Sequence, residues 1–587
     1  GCLRCLRLNS CTKCSTIRLL VLEQYYSPSD PSEIMAPNRN PPIKFTQIFI
    51  NNEFVNSVSG KTFPVYNPST GKKIADVQEG DKADIDKAVA AAKAAFDLKS
   101  EWRTIDASQR ALYLLKLADL LDRDRDYIAS LETLNNGKPY KYAQEDIDVS
   151  MKHLRYYAGY ADKVHGKTIP ADGSYFTYTR CEPVGLCGQI LPWNFPVVLI
   201  AMKLAPALAA GCVCIVKPAE QTPLTALYFA HLCKEAGIPA GVVNVVPGYG
   251  PTAGAAIAEH PEINKVSFTG STEVGKLIQE AAGRSNTKRV NLELGGKSPL
   301  VIFPDADLDE AAHIAHVGLF FNMGQCCVAA SRLFVHEDIY DKFVAKAKQL
   351  AAHRRTQVGD PFDDATEQGP QIDDEQFQKI LGLIESGKKE GAKVEIGGNR
   401  IGTEGYFVEP TVFTNVTDDM RIAKEEIFGP VLPILRVNSA DEAIEFINER
   451  EKPLTLYVFS SRQKVIDRFM YETTSGSICA NDTLVHLSVD TLPFGGVGQS
   501  GMGRYHGKYS FDTFSNKKAV LVRSFNPIGE AFGRRRYPPL DDFKVAYFRQ
   551  LLLKRSSPLG GLLSCSPYLL VFVLGVASAF LLRYVLH

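Results

Sequence analysis

The sequence predicts an α/β fold, and three observations carry that expectation. From about Phe45 short apolar runs alternate with amphipathic segments. Between Cys187 and Val246 the alternation resolves into strand–helix–strand units. No internal repeat or long low-complexity stretch interrupts residues 45–525.

Taken in order, Asp84–Phe96 is Ala-rich and opens on an acid, and Ala107–Leu121 keeps a helical apolar period, so both are predicted helices. Gly185–Leu191 is a predicted strand, Leu199–Ala209 a helix, Cys212–Lys217 a strand, Pro223–Ala236 a helix and Val242–Val246 a strand. Successive βαβ units make a parallel sheet, and such a sheet carries a nucleotide-type crevice at the carboxyl ends of its strands.

Composition narrows the function. A chain of 587 residues, 45% hydrophobic and 22% charged, is sized for two or three domains in a globular body. Lys+Arg and Asp+Glu both number 66, which leaves no broad basic field for nucleic acid. The 13 cysteines, among them Cys187, Cys212, Cys214 and Cys233, lack the spacing of a disulfide framework and suggest reduced thiols.

Residues 1–40 are expected to be a disordered tail, with sequence upstream of a start at Met35 as the preferred reading. Cys2, Cys5, Cys11 and Cys14 form a C-x2-C-x5-C-x2-C array, but five residues between the pairs and no surrounding core disfavour zinc, so no metal is expected. A transit peptide is the other reading, since Arg4, Arg7, Lys13 and Arg18 precede the first acid, Glu23. At the other end Leu559–Leu582 carries no charge, about 36 Å of helix against a hydrocarbon core of about 30 Å. It is expected to anchor the chain in a membrane. Arg534, Arg535, Arg536, Lys544, Lys554 and Arg555 lie before the run and only Arg583 after it, which places the body on the cytosolic face, with the endoplasmic reticulum the expected membrane.

The chemistry-bearing signal is Phe320-Phe321-Asn322-Met323-Gly324-Gln325-Cys326-Cys327, 34 residues after Glu293 in Glu293-Leu294-Gly295-Gly296-Lys297-Ser298-Pro299. A thiolate attacks carbonyls well, and a nearby carboxylate can take a proton from the thiol or from water. Glycines beside the acid allow close approach of a flat ligand. These motifs resemble the aldehyde dehydrogenase superfamily, over residues 45–525. The resemblance implies Cys327 as nucleophile, Glu293 as hydrolytic base, and Asn194, in Pro192-Trp193-Asn194-Phe195-Pro196, as oxyanion donor. It implies NAD as cofactor. Trp193 stands in the cofactor segment, Lys217 and Glu220 on the adenosine ribose, and Gly270, Ser271 and Gly275 at the pyrophosphate turn. Glu426 and Phe428 stand at the nicotinamide ribose and ring. An acid at 220 favours NAD over NADP.

The implied architecture is a Rossmann-like NAD-binding domain (41–164 and 181–294), an α/β catalytic domain (295–507), a small β oligomerisation element (165–180 and 508–525), a basic linker (526–558) and the anchor (559–582). A homo-dimer or tetramer is implied. Up to Gly429 the chain is most similar to the soluble class 1 and 2 enzymes, although Met323 departs from the Gln usual there. After Pro430 it resembles the membrane-anchored class 3 fatty aldehyde dehydrogenase, in Asn448–Leu454, Pro493–Gly498 and Tyr505-His506-Gly507-Lys508. Such a change is what a recombined gene or a mis-joined gene would give. The substrate funnel is expected to be walled by Val197, Val198, Leu199, Phe320, Phe321 and the stretch Ser477–Leu492. A medium- or long-chain apolar aldehyde is the first expectation, and retinal or a small aldehyde the alternative. A non-catalytic membrane scaffold is disfavoured because Cys327, Glu293 and Asn194 are all present.

Overall fold

The computed structural model describes residues 36–172, 175–450, 452, 454–523, 542, 545–546 and 566–585. The N-terminal cysteine array and nearly all of the basic linker lie outside the described residues.

Two compact units divide the chain: Gly1–Val164 with Glu182–Asn516, and His165–Cys181 with Lys517–His587. In the first unit the predicted βαβ run is present with its ends moved by a few residues: strands Leu186–Ile190, Val213–Lys217 and Val243–Val245, and helices Pro196–Ala209 and Pro223–Ala236. Proline at the first turn of each helix costs no hydrogen bond, because the amides there have no intrahelical acceptor.

These strands continue with Lys265–Gly270 and Arg289–Leu294 into one parallel sheet. Its order places Lys265–Gly270 on the opposite side of Leu186–Ile190 from Val213–Lys217. The winding therefore reverses between Leu186–Ile190 and Lys265–Gly270, and a crevice opens where helices on the two faces diverge. Ile48–Ile50 and Glu53–Val55 extend one edge antiparallel, and Gly501–Met502 caps the other beside Arg289–Leu294. That last pairing brings part of the expected catalytic segment onto the nucleotide sheet.

A second sheet of seven strands runs Lys393–Ile396, Thr411–Thr414, Val431–Val437, Arg332–His336, Pro299–Ile302, Thr455–Phe459 and Ser477–Ala480. All neighbours are parallel except the first pair. Strands such as Thr455–Phe459 and Arg332–His336 are almost continuously buried, as a sheet covered on both faces requires.

The second unit holds most of a two-stranded ribbon of Tyr175–Pro183 and Ser515–Arg523. The strand expected over 508–525 starts later than expected, because Gly507–Phe514 is helical. Gly507, Ser510, Phe511 and Phe514 are buried at helical spacing, and that apolar stripe outweighs a strand reading. Asn38 and Arg39, expected within a disordered tail, are instead held to the fold: the Asn38 amide donates to Ser130 Oγ at 3.3 Å, and Arg39 pairs with Asp360 and Asp363.

The C-terminal run forms a 20-residue helix, Ser566–Val585, with Arg583 in its last turn. Among the described residues no helix is long and apolar enough to cross a membrane, so the expected transmembrane span is not supported. The run's first residues, 559–565, lie outside the described residues.

Candidate active site

The crevice at the winding reversal collects several of the predicted residues because they stand at or just after the carboxyl ends of parallel strands. Leu186–Ile190 leads into Trp193 and Asn194, Val213–Lys217 ends on Lys217, Lys265–Gly270 ends on Gly270 before Ser271, and Arg289–Leu294 carries Glu293. A cavity of about 930 Å³ is lined by Trp193, Asn194, Gly270, Ser271, Glu293, Cys327, Glu426 and Phe428, among others. Lys217, Glu220 and Gly275 are not part of that lining.

Cys327 sits after a sharply turned loop. Asn322 (φ 49°), Met323 (φ 59°) and Gly324 (φ 76°) lie consecutively in the left-handed region, a strained path for two residues with side chains. The path is held at several points. A Cβ on Gly324 would meet the Gly429 carbonyl oxygen at 2.2 Å, so glycine lets the loop lie on the Phe428-Gly429 backbone. The Asn322 amide donates to the Asn194 and Gln325 carbonyls at 3.0 and 3.2 Å, and Gln325 Oε1 accepts from the Ile372 amide at 3.0 Å. Cys326 is buried and Cys327 partly exposed to the cavity. The neighbouring Cys326 thiol and burial push Cys327 well above the ordinary thiol range, so the nucleophile needs a base to become a thiolate.

Asn194 Nδ2 donates to the Gln325 carbonyl at 3.0 Å. One amide hydrogen is thereby fixed two residues before the nucleophile, and the other remains for an oxygen in the cavity.

Glu293 is buried, and both contacts to its Oε2 come from inside the fold: Lys203 Nζ at 3.1 Å and Thr269 Oγ1 at 2.6 Å. Oε1 has no hydrogen-bond partner among the described residues and is the oxygen able to accept a proton. A Cβ on Gly296 would meet the Cys327 carbonyl oxygen at 3.3 Å and Leu454 Cβ at 2.8 Å. Glycine there lets the Glu293 segment lie against the nucleophile loop.

Of the residues expected at the cofactor, Gly275 packs inside the fold and the others offer groups to a ligand. Ser271 caps helix Thr272–Arg284, with its hydroxyl accepting from the Val274 amide at 3.3 Å, and the free first-turn amides face the crevice as an anion site. Gly275 is buried in that helix, and a Cβ there would meet Leu294 Cδ2 at 2.6 Å, so its role is close packing of helix on strand. Lys217 Nζ donates to Glu220 Oε2 at 2.7 Å, a pair suited to two adjacent ribose hydroxyls. Glu426 lies against Gly295 and accepts from the Gly296 amide at 3.2 Å, and burial pushes its carboxyl up. Trp193 and Phe428 meet edge to face with ring centroids 5.3 Å apart, and Phe428 also has positive φ. Anion-binding amides, a ribose-type Lys–Glu pair and a flat slot fit a dinucleotide.

The funnel wall is partly as expected. Val198, Leu199 and Phe321 line the cavity, with Thr483, Leu484, Val485 and Leu487 from the C-terminal stretch. Val197 and Phe320 do not, because both are fully buried in the core. Sequence reasoning missed Lys203 and Thr269. The signal for Lys203 was present, since it is the lone cation of the apolar helix Pro196–Ala209, and a fully buried lysine needs a partner. Thr269 had no such mark. Among the described residues no cluster of three or more His, Cys, Asp or Glu is placed to hold a metal.

Three comparisons bear on this site. The model of the Aldehyde dehydrogenase family matches residues 54–520. Retinal dehydrogenase 2 of Homo sapiens is 56% identical over 506 residues, covering 84% of this chain and 96% of that protein. An Aldehyde dehydrogenase of Enchytraeus buchholzi is 56% identical over 493 residues, covering 84% and 98%. Residues 1–429 make up less of the chain than either match covers, so both run through the change of resemblance at residue 430. Among solved structures, the NAD+ complex of aldehyde dehydrogenase from Bacillus cereus superposes with TM-score 0.80 at 46% identity, covering 82% of this chain and 97% of that one.

Proposed function

The chain belongs to the aldehyde dehydrogenase family, and on that premise we propose the residue roles and substrate class of its NAD-dependent aldehyde oxidation. The carrying observation is that one cavity is lined by Cys327, Glu293 and Asn194 together with Glu426, Phe428 and a set of apolar side chains.

Glu293 Oε1 takes the thiol proton, and the Cys327 thiolate adds to the aldehyde carbon. The new oxyanion accepts from Asn194 Nδ2 and the Cys327 backbone amide. NAD, when bound, accepts the hydride, and a thioester remains on Cys327. Glu293 first gives up the thiol's proton to solvent, then takes one from water as the hydroxide adds to the thioester carbonyl. Cys327 leaves and the carboxylic acid is released. Aldehyde, water and NAD+ thus become acid, NADH and a proton.

For the substrate, the relatives support retinal or a small aldehyde better than the medium- or long-chain aldehyde expected from the C-terminal stretch. Cavity size and the apolar side chains of Val198, Leu199, Phe321, Leu484 and Leu487 favour the bulky member of that pair. We therefore place a retinal-type aldehyde first. The test compares kcat/KM for retinal, decanal and acetaldehyde. Retinal is expected to lead, and a clear lead for either of the others sinks the assignment.

A second proposal concerns the C-terminus. Helix Ser566–Val585 exposes Phe572, Leu574, Leu581 and Leu582, and cations precede it in the sequence, which supports association with an anionic lipid surface. Deleting residues 556–587 should release the protein from membranes without loss of activity. Equal partition of the two forms contradicts the idea.

A further inference from the structure

Lys203 is fully buried, yet among the described residues its cation pairs with one carboxylate, Glu293. Burial alone would push the ammonium down, but the Glu293 carboxylate and Tyr505 raise it above its ordinary value. Tyr505 meets the ammonium with its ring face, Nζ 4.5 Å from the centroid, and its hydroxyl adds a hydrogen-bonding contribution. A desolvated ammonium over an aromatic face is held electrostatically by the ring quadrupole.

The ring is itself clamped. Tyr505 is buried, its hydroxyl donates to Ser267 Oγ at 2.8 Å, and its backbone bridges to Phe494 through bonds of 2.7 and 3.0 Å. Tyr505 does not line the cavity and touches no reacting atom. We infer that Tyr505 is a positioning residue for the hydrolytic base: it holds the Lys203 ammonium against Glu293 Oε2, which fixes the carboxylate with Oε1 free to take the proton of water.

This inference rests on Glu293 being the base in the proposed function. In the step it supports, water loses a proton to Oε1, the hydroxide forms a bond to the thioester carbon, and the carbon–sulfur bond to Cys327 breaks. Lys203 keeps its proton throughout. The charged and titratable groups around the network are few. Lys203 faces Glu293, Tyr505 and, farther off, Lys265, whose ammonium burial pushes down to about 7 with Lys203 contributing. Glu293 faces Lys203 and lies near Cys327 and Tyr505.

The two halves of the device come from distant segments. Lys203 stands in the part that resembles class 1 and 2 enzymes, and Tyr505 opens the Tyr505-His506-Gly507-Lys508 motif of the class 3 type. The pairing is therefore a property of this chain as joined.

The experiment compares wild type, Y505L and Y505F. A rapid-mixing measurement gives the NADH burst, and quenched samples give the decay of acylated Cys327 by mass spectrometry across pH 5 to 9. Without the ring the ammonium is no longer held on Oε2, and the carboxylate loses its fixed position. The rate of acyl-enzyme decay should then fall by about tenfold in Y505L. Burst amplitude should not fall, because Tyr505 is outside the cavity. Y505F keeps the ring and should recover most of the lost rate. If leucine is too small for the core, Y505M carries the same comparison. Equal decay rates in wild type and Y505L overturn the role of Tyr505, as does a loss in Y505F as large as that in Y505L. An E293Q variant with normal turnover overturns the reading of the site itself, so the two failures are distinguishable.

Discussion

Asn194 and Gln325 are joined by a 3.0 Å hydrogen bond from the Asn194 side-chain amide to the Gln325 carbonyl, which fixes the oxyanion donor to the loop that carries Cys327. The donor and nucleophile come from different sheets' connections, so this bond sets their mutual geometry before substrate arrives. Preorganisation of this kind matters most in the transition state, where the negative charge develops. Asn194→Ala should lower kcat by about 100- to 1000-fold with little change in KM. A fall confined to KM means that Asn194 serves ground-state binding only.

Cys327 and Cys326 are adjacent and both border the cavity, but Cys326 is buried while Cys327 is partly exposed. Cys327→Ala should abolish NADH formation from aldehyde, and Cys326→Ala should retain most of it. Similar activity in the two variants contradicts the assignment of the nucleophile.

Glu293→Gln keeps the shape of the side chain but cannot take a proton. If acylation can still proceed with a solvent base, the variant should release up to one NADH per site in a burst and then turn over slowly. Normal steady-state turnover removes Glu293 from hydrolysis.

Glu220, paired with Lys217, is proposed to face the adenosine ribose, where a 2′-phosphate would approach. Like charges a few ångström apart near a surface cost about 1 kcal/mol or more, so NAD should exceed NADP in kcat/KM. Glu220→Gln should narrow the gap by about fivefold. A wild-type preference for NADP overturns the site.

Burial lowers three imidazoles, His316 and His506 to about 3 and His486 to about 4. The unfolded value is about 6.5. Their folded values are depressed, so the unfolded chain binds more protons between about pH 3 and 6.5. Neutral burial is therefore fully tolerated above pH 6.5, and stability falls as pH drops through that window, by up to about 1.4 kcal/mol per pH unit for each group. Thermal unfolding should show Tm falling between pH 7 and 5, and His316→Phe should flatten the fall. An unchanged slope in that variant means His316 is not the group responsible.

The sequence by itself determined the fold class and the nucleotide crevice, and it pointed to the three residues proposed to carry the catalysis. Periodicity reports which face of an element is buried, and Pro223–Ala236 and Cys212–Lys217 have patterns that admit one reading. Cys327, Glu293 and Asn194 were legible because their local motifs are distinctive. Tertiary structure decided what surrounds them. That Val197 and Phe320 point into the core while Val198 and Phe321 wall the cavity depends on the rotation of elements about their axes after packing. That Gly275 packs on Leu294, and that Lys203, Thr269 and Tyr505 gather around Glu293, depends on contacts between residues up to 302 positions apart, Lys203 to Tyr505. Local pattern carries no record of such partners, because burial energy depends on how much apolar area is covered and not on which distant segment covers it.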